Sequence, residues 1–177
     1  MYKSKRENVE KVMEVFFSNS NSKYHIRELA RITKLNPNTI VSITNDLVKQ
    51  GLIIKEEKKY LVEVSLNEES EKVKWKKRLY NLNKFYDSGI IEYLNESFNH
   101  PESIILYGSY SNGTNTKKSD IDIFVISKLK KEVNLSKFER ILGSNIHLLV
   151  LPLEKISKEL INGLSNGIVV SGYLNNG

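Results

Sequence analysis

Residues 104–127, which read IILYGSYSNGTNTKKSDIDIFVIS, constrain the fold of this chain more than any other segment. An apolar strand runs into Gly108-Ser109, a polar loop follows, and a second apolar strand opens at Asp120 and Asp122. Because side chains alternate faces along a strand, the two aspartates are expected to point the same way. Two adjacent carboxylates are costly unless they are solvated or neutralised, and a hard divalent cation neutralises them well. The segment therefore predicts two strands with a candidate metal site between them.

The Gly108-Ser109 turn is the second part of this pattern. Glycine lets backbone N–H groups come close to a ligand, and such groups cradle phosphate oxygens. A glycine-serine pair, a polar spacer and an Asp-x-Asp opening the next strand together resemble the nucleotidyltransferase superfamily that includes DNA polymerase beta. From the residues alone, a hairpin-like unit with a polar connection and no ligand is the alternative.

The resemblance implies roles for individual residues. Asp120 and Asp122 match the carboxylates that hold Mg²⁺ (or Mn²⁺), and Gly108 and Ser109 match the turn that grips the phosphates of a nucleoside triphosphate. Active members also carry a third carboxylate on a neighbouring strand, expected here at residues 145–151, where His147 stands instead. Imidazole is a poor Mg²⁺ ligand but titrates near neutral pH and serves well as a general base. The alternative for His147 is a histidine that only fills a strand position.

Two further departures concern the loop and the missing carboxylate. Asn112 stands where related motifs often carry a basic residue, and Lys117 and Lys118 of the same loop are candidates to replace it. Glu154 lies past the third strand and is a poor substitute for the third carboxylate.

The first 66 residues show a different pattern. Apolar residues at helical spacing predict helices over residues 9–17, 25–33 and 37–50, and two strand-like runs follow at 52–55 and 60–66. Asn36 is placed as an N-cap before Pro37, and Gly51 ends the third helix. Three helices followed by a β-hairpin resemble the winged helix-turn-helix DNA-binding domains of prokaryotic transcription regulators.

Double-stranded DNA is the partner that this resemblance implies. The first 87 residues hold 18 Lys and Arg against 12 Asp and Glu, whereas the other 90 hold nine of each. The alternative is a winged helix used only for protein docking or dimerisation, with an ordinary solvated face. The candidate DNA contacts are short polar residues on the third helix and lysines at its end or on the wing: Asn38, Thr39, Ser42, Asn45, Lys49, Lys58 and Lys59. Arg27, Arg31 and Lys34 lie nearby in sequence.

A highly charged helix is predicted between the two halves. Trp75, Leu79, Leu82 and Tyr86 recur at heptad-like spacing, so we expect this stripe either to pack on a neighbouring domain or to join two protomers of a homodimer. The predicted organisation is a winged helix-turn-helix domain at residues 1–67, a connecting helix at 68–88 and a minimal nucleotidyltransferase domain at 89–177. The fold class is α+β, with a small mixed sheet in the second domain.

The composition of the chain bears on the cellular compartment in which the protein is expected. The chain has no cysteine, so disulfides and thiolate metal sites are excluded, and it shows neither a signal peptide nor an apolar run of membrane-spanning length. A cytoplasmic protein without membrane contact is expected.

Nearly the full chain resembles small, largely archaeal proteins that join a winged helix to a minimal nucleotidyltransferase domain. The resemblance includes the segments RLYNLNKFYDSGIIEYL and ELINGLSNGIVVSGYL. It implies transfer of a nucleoside monophosphate from NTP to a hydroxyl of a protein or small molecule. One alternative is a transcription regulator whose degenerate nucleotidyltransferase site senses NTP without turnover; another is a winged-helix scaffold with an empty second domain.

Overall fold

A computed structural model describes residues 2–58, 61–164 and 166–173 of the chain, except that side chains are described only from residue 5 and not at residue 58. The chain divides into two compact units, Met1–Lys74 and Trp75–Gly177. The architecture is mixed α+β, with one small sheet in each unit. Among the described residues, no helix combines the length and apolar character needed to cross a bilayer.

The first unit contains three helices and a three-stranded antiparallel sheet. The elements are α1 (Tyr2–Ser18), β1 (Lys23–His25), α2 (Ile26–Thr33), α3 (Pro37–Lys49), β2 (Ile53–Lys58) and β3 (Leu61–Leu66). The strand order is β1-β3-β2, so β3 lies in the middle of the sheet. The buried side chains include Val12, Phe16, Leu29, Ile40, Ile43, Leu47 and Val64. The three predicted helices and the two later strands are present, but α1 begins earlier, at Tyr2, and β2 continues through Lys58, past its predicted end at residue 55. The strand β1 was not predicted.

The ends of α3 follow from its sequence. The Asn36 side chain accepts a hydrogen bond from the backbone N–H of Asn38 at 2.9 Å, and Pro37 occupies the first turn. Gly51 follows the helix with a φ of +71°, a conformation that glycine adopts without strain. Both predicted ends of α3 are confirmed.

The second unit contains a four-stranded mixed sheet. Its elements are α4 (Glu71–Asp87, which begins before the division), α5 (Ile90–Ser97), β4 (Ser103–Tyr107), α6 (Gly108–Asn112), β5 (Ile121–Ile126), α7 (Ser136–Leu142), β6 (Ile146–Leu151), a 3₁₀ turn (Leu153–Lys155), α8 (Lys158–Leu164) and β7 (Ile168–Gly172). The strand order is β6-β5-β4-β7. β5 and β6 are parallel, and the other two pairs are antiparallel.

The central strands of this sheet are buried on both faces. Ile104, Ile105 and Leu106 of β4 are fully buried, as are Ile121, Ile123, Phe124 and Val125 of β5. One side packs on Phe85, Ile90, Leu94 and Phe98, and the other on Leu164 and neighbouring apolar residues. The apolar runs read from the sequence are therefore fully buried strands.

The segment after Gly108-Ser109 corrects one expectation. It was expected to be a polar loop, but residues 108–112 form the short helix α6. The helix ends at Gly113, which has a φ of +73° and donates its N–H to the Ser109 carbonyl. The Ser111 hydroxyl donates to the carbonyl of Gly108 at 2.9 Å, so polar side chains here stabilise a helical turn.

The inward face of α4 corrects a second expectation. Trp75, Leu79 and Tyr86 are 58%, 63% and 64% exposed, so most of the predicted stripe is not buried by this chain. Lys77 and Asn81 are buried instead, each 2% exposed. Lys77 Nζ donates to the carbonyl of Asn115, while Asn81 Nδ2 donates to the Tyr110 carbonyl and to Asn115 Oδ1, both at 2.8 Å. Apolar periodicity missed this face because its polar side chains are buried with hydrogen bonds to Tyr110 of α6 and to Asn115 after it.

The predicted bounds of the three segments stay a prediction. The buried contacts described for Lys77, Asn81 and Phe85 are with the second unit. The homodimer through the exposed stripe also stays a prediction.

We predict that Asn81→Ala destabilises the second unit. The substitution leaves the Tyr110 carbonyl and Asn115 Oδ1 without the amide that donates to both, which costs about 1–3 kcal/mol, or roughly 2–4 °C in Tm per kcal/mol. Asn83→Ala on the same helix is the control, because Asn83 is exposed and its described hydrogen bond is to Asp87 on the same helix. Thermal unfolding followed by circular dichroism tests this; equal Tm values for the two variants would contradict it.

Candidate active site

The candidate site lies where β5 begins. Asp122 is the second residue of β5, and its register partners are Tyr107 of β4 and His147 of β6. Ile121 and Ile123 on either side of it are fully buried, so alternation turns Asp122 to the opposite face. Its side chain is 28% exposed. The strand order thus places the end of β4 and the start of β6 on the two sides of one carboxylate.

The two oxygens of Asp122 have different neighbours. Oδ1 lies 3.4 Å from Nδ1 of His147. Oδ2 lies over Gly108, where an added Cβ would come within 2.3 Å of it. Gly108 also has a φ of +72°, which disfavours a side chain independently of the contact. Glycine therefore allows the turn after β4 and the carboxylate on β5 to approach each other.

Asp120 lies two residues earlier, directly before β5. Its side chain is exposed, and Asn145 Nδ2 donates to its Oδ1 at 3.3 Å. The Asn145 carbonyl accepts from the backbone N–H of Ile121 at 2.9 Å, which fixes the start of β6 against the start of β5. One oxygen of Asp120 is thereby oriented, and the other accepts from no group in the described part of the chain.

Two groups that border the carboxylates come from β4 and α6. Tyr107 is partly buried, and this burial, together with the nearby charge of Asp122, raises the pKa of its phenol above the usual value. Tyr107 therefore remains a neutral hydroxyl at physiological pH. Ser109 is half-buried in the first turn of α6, and its carbonyl accepts the N–H groups of Gly113 and Thr114.

The donor chemistry of this pair fits Mg²⁺ or Mn²⁺ arriving with phosphates. Among the described residues, no group of three or more His, Asp or Glu side chains is arranged to enclose a metal. Mg²⁺ does not need such a cage, because in phosphoryl-transfer sites one or two carboxylates hold it together with waters and substrate phosphates. Asp120 and Asp122 supply two hard oxygen ligands, whereas the imidazole of His147, 65% exposed, does not suit Mg²⁺.

Glu154 does not reach this place. It forms an ion pair of 2.9 Å with Lys128, and both residues lie past the carboxyl ends of β5 and β6. The carboxylate pair lies at the opposite, amino end of the same two strands. Of the residues on β6, His147 is the one in register with Asp122.

Asn145, Lys77 and Asn81 border the site or its loop and were not predicted as functional. Asn145 stands two residues before His147, but nothing local in the sequence distinguishes it from other asparagines at strand ends. Lys77 and Asn81 gave no local signal either, because their roles depend on which backbone groups the fold brings to them.

The predicted DNA contacts lie on the first unit. Asn38, Ser42, Asn45 and Lys49 are exposed on α3, and Thr39 is half-buried. Lys58 is the last residue of β2, its side chain outside the described part, and Lys59 lies outside the described residues altogether. Arg27, Arg31 and Lys34 are also exposed. A groove of about 860 Å³ runs beside them, lined by Arg27, Arg31, Pro37, Val41, Leu61 and Val62 among others.

Comparison with known proteins gives one result for the second unit. Residues 87–170 match the family model of the nucleotidyltransferase domain. No curated protein and no solved structure is significantly similar to the chain. The matched region contains Gly108, Ser109, Asp120, Asp122 and His147. The match supports a nucleotidyltransferase-type domain and function for this part of the chain.

Proposed function

We propose that the chain transfers a nucleoside monophosphate from NTP to a hydroxyl acceptor at the site around Asp122. The observation that carries the proposal is the approach of the Asp122 carboxylate to Gly108, inside a domain of this family. When a carboxylate and a glycine turn lie this close together, the carboxylate can bind a metal while the turn binds the phosphates that the metal holds.

Asp120 and Asp122 would hold the metal. When bound, Mg²⁺ (or Mn²⁺) supplies charge neutralisation for the triphosphate and polarises the phosphorus under attack. The residues of the chain position the reactants around it. Asn145 orients one oxygen of Asp120, and the neutral phenol of Tyr107 adds no second negative charge beside Asp122.

Gly108 and Ser109 would bind the phosphates of the nucleotide. They open α6 directly after β4, and Gly108 presents no side chain toward Asp122. Backbone N–H groups at such a turn are donors for anionic oxygens. The Ser109 hydroxyl adds a further donor for the same oxygens.

His147 would act as the general base. When Nδ1 carries the proton it donates to Asp122 Oδ1, which leaves Nε2 to accept the proton of the attacking hydroxyl. The acceptor oxygen then bonds to the α-phosphorus, the bond from that phosphorus to the bridging oxygen breaks, and pyrophosphate leaves. The 65% exposure of His147 leaves room for an acceptor beside it.

The second candidate function is a nucleotide-sensing transcription regulator. The imidazole of His147 in place of a third carboxylate favours this reading, since Asp120 and Asp122 can still bind NTP with its metal while the missing carboxylate slows or prevents turnover. Nucleotide occupancy would then change the affinity of the first unit for DNA.

DNA binding by the first unit is part of both proposals. Its element order, α1-β1-α2-α3-β2-β3 with β3 central, supports a winged helix, with α3 as the recognition helix. Asn38, Ser42 and Asn45 expose hydrogen-bonding groups on α3. In the described part of the chain, Arg27 and Arg31 form no ion pair, so their charges are available to phosphates.

The proposed reaction predicts transfer of label from an α-labelled NTP to an acceptor. Purified protein is incubated with each α-labelled NTP, Mg²⁺ or Mn²⁺ and a cell extract, and labelled products are separated by size. Asp120→Ala/Asp122→Ala should abolish transfer, because no ligand for the metal remains, while Asp87→Asn at the exposed end of α4 should not. Saturating NTP with Mg²⁺ should also raise the Tm of the wild type by about 5–10 °C at 100 times Kd. NTP protection without transfer would favour the regulator. Absence of both protection and transfer would contradict both proposals.

We predict that His147→Gln lowers kcat about 10²–10⁴-fold, because the substitution removes the general base. NTP protection should stay unchanged, because the metal ligands Asp120 and Asp122 remain. His147→Asp is the matched variant, since it restores a carboxylate that can serve as ligand or base, and it should recover activity. A kcat within twofold of wild type for His147→Gln would show that the histidine only fills its strand position.

We predict salt-dependent binding of the protein to double-stranded DNA. The slope of log K against log salt changes by about 0.9 for each phosphate contact, so Arg27→Gln/Arg31→Gln should reduce it by about 2. Arg6→Gln/Lys11→Gln removes the same charge from exposed positions of α1 and is the control. Fluorescence anisotropy with a labelled duplex measures both slopes. Salt-insensitive or absent binding would leave the first unit as a docking module.

A further inference from the structure

One face of the helix α4 carries apolar side chains that this chain leaves largely uncovered. Its members, together termed the α4 stripe, are Trp75, Leu79, Leu82 and Tyr86. Trp75, Leu79 and Tyr86 are between 58% and 64% exposed, and Leu82 is half-buried. At 3.6 residues per turn, all four lie within about 40° of one another around the helix axis. A contiguous exposed face of large apolar side chains indicates a binding surface.

The α4 stripe is separate from the face by which α4 packs on its own chain. Lys77 and Asn81 are buried, and they lie about 130–170° around the helix axis from the stripe. Arg78 places its guanidinium 4.9 Å from the centre of the Trp75 ring, a contact that orients the indole but leaves it more than half exposed. A partner can therefore cover the stripe without disturbing the packing of α4.

The spacing of the stripe reads the same in both directions along the chain. Its members are separated by four, three and four residues. Reversing the helix about the point between residues 80 and 81 therefore exchanges Trp75 with Tyr86 and Leu79 with Leu82. A second α4 packed antiparallel would place each aromatic ring against the partner's other aromatic ring, with the leucines meeting at the centre. The stripe is complementary to itself in this orientation.

Charged residues along one flank of the stripe favour the same orientation. Lys72 and Lys76 are exposed and form no ion pair within the described part of the chain, and the exposed Asp87 lies on the same flank near the end of α4. In an antiparallel pair, Asp87 of the second copy lies level with residue 74, within about 3 Å along the axis of both lysines at 1.5 Å per residue. In a parallel pair each lysine would lie level with the same lysine of the second copy, and like charges repel.

The composition of the stripe favours a protein helix over nucleic acid as its partner. Surfaces that bind single strands stack the bases on aromatic side chains. The centre of the stripe is formed instead by Leu79 and Leu82, which offer no aromatic face. The carboxylate of Asp87 on the flank would also repel phosphates.

We infer that the α4 stripe is a dimer interface, covered by the stripe of a second copy of this chain in antiparallel orientation. The inference does not depend on the proposed reaction, because no member of the stripe belongs to the site around Asp122. The exposed apolar side chains contribute on the order of 400 Å² on each chain, and the flanking lysine stems bring the pair to about 1,000–1,200 Å² in total. An interface at this lower end of the specific range forms a weak dimer, with a Kd in the micromolar range.

Sedimentation equilibrium of the full chain tests the dimer, over about 1 to 200 µM so that the range brackets the expected Kd. The average mass should rise from one chain toward two. Leu79→Lys should stay monomeric over this range, because it buries an unpaired charge at the centre of the interface. Ile141→Lys is the matched control, since Ile141 is an exposed apolar residue of α7, outside the stripe, and this variant should dimerise like the wild type.

The fluorescence of Trp75 reports on the stripe directly, because this is the only tryptophan of the chain. Its emission should move to shorter wavelength over the concentrations at which the mass rises, and this shift should be absent in Leu79→Lys.

Charge reversal tests the orientation. Asp87→Lys should raise the Kd of the dimer, because it places a third cation beside Lys72 and Lys76. Adding Lys72→Asp/Lys76→Asp to the same chain should restore the Kd, because opposite charges then meet again with their signs exchanged.

Four results would overturn the inference. The first is a monomer at the highest concentration, and the second is equal dimerisation of Leu79→Lys and Ile141→Lys. The third is failure of the combined charge reversal to restore the Kd, which would exclude the antiparallel orientation. The fourth is a shift of the Trp75 emission when an oligonucleotide is added to the monomer, which would assign the stripe to nucleic acid.

Discussion

The contact between the Asp122 carboxylate and the face of Gly108 is the constraint on which the arrangement of the site depends. It requires glycine for steric reasons and for backbone conformation at the same position. It also requires the antiparallel register of β4 and β5, since Tyr107 pairs with Asp122 and Gly108 follows immediately. A shift of one residue would turn Asp122 into the core and an isoleucine toward the turn. The burial of the isoleucines on both sides of Asp122 sets the register and so holds the carboxylate in place.

The parts of this structure that local pattern determines were predictable from the sequence. The paired strands, the positions of Asp120 and Asp122, the caps of α3 and the place of His147 in β6 depend on alternation, capping and spacing within short segments. The strands β4 and β5 were the easiest elements to predict, because a short continuous apolar run is typical of a strand that is buried on both faces. The short β1 has no such apolar run. Its three residues form a strand because they pair with the edge of β3, which is a tertiary contact.

The face of α4 shows why the remainder was not predictable. Lys77 and Asn81 are buried because the carbonyls of Asn115 and of Tyr110 in α6 are available to them, and this availability is a property of the tertiary fold. Hydrophobic periodicity instead selected Trp75, Leu79 and Tyr86, which the chain leaves exposed. Asn145 was missed for a milder reason, because only its pairing with Asp120 distinguishes it from other strand-end asparagines.

The parallel pairing of β5 and β6 has a consequence for how such a domain can change. Parallel neighbours cannot be joined by a tight turn, so the chain must leave the end of β5, cross over through α7 and return to the start of β6. That obligatory detour supplies a wall of a cleft beside Asp120. Length and composition of the detour can therefore vary without disturbing β4, β5 or the glycine turn.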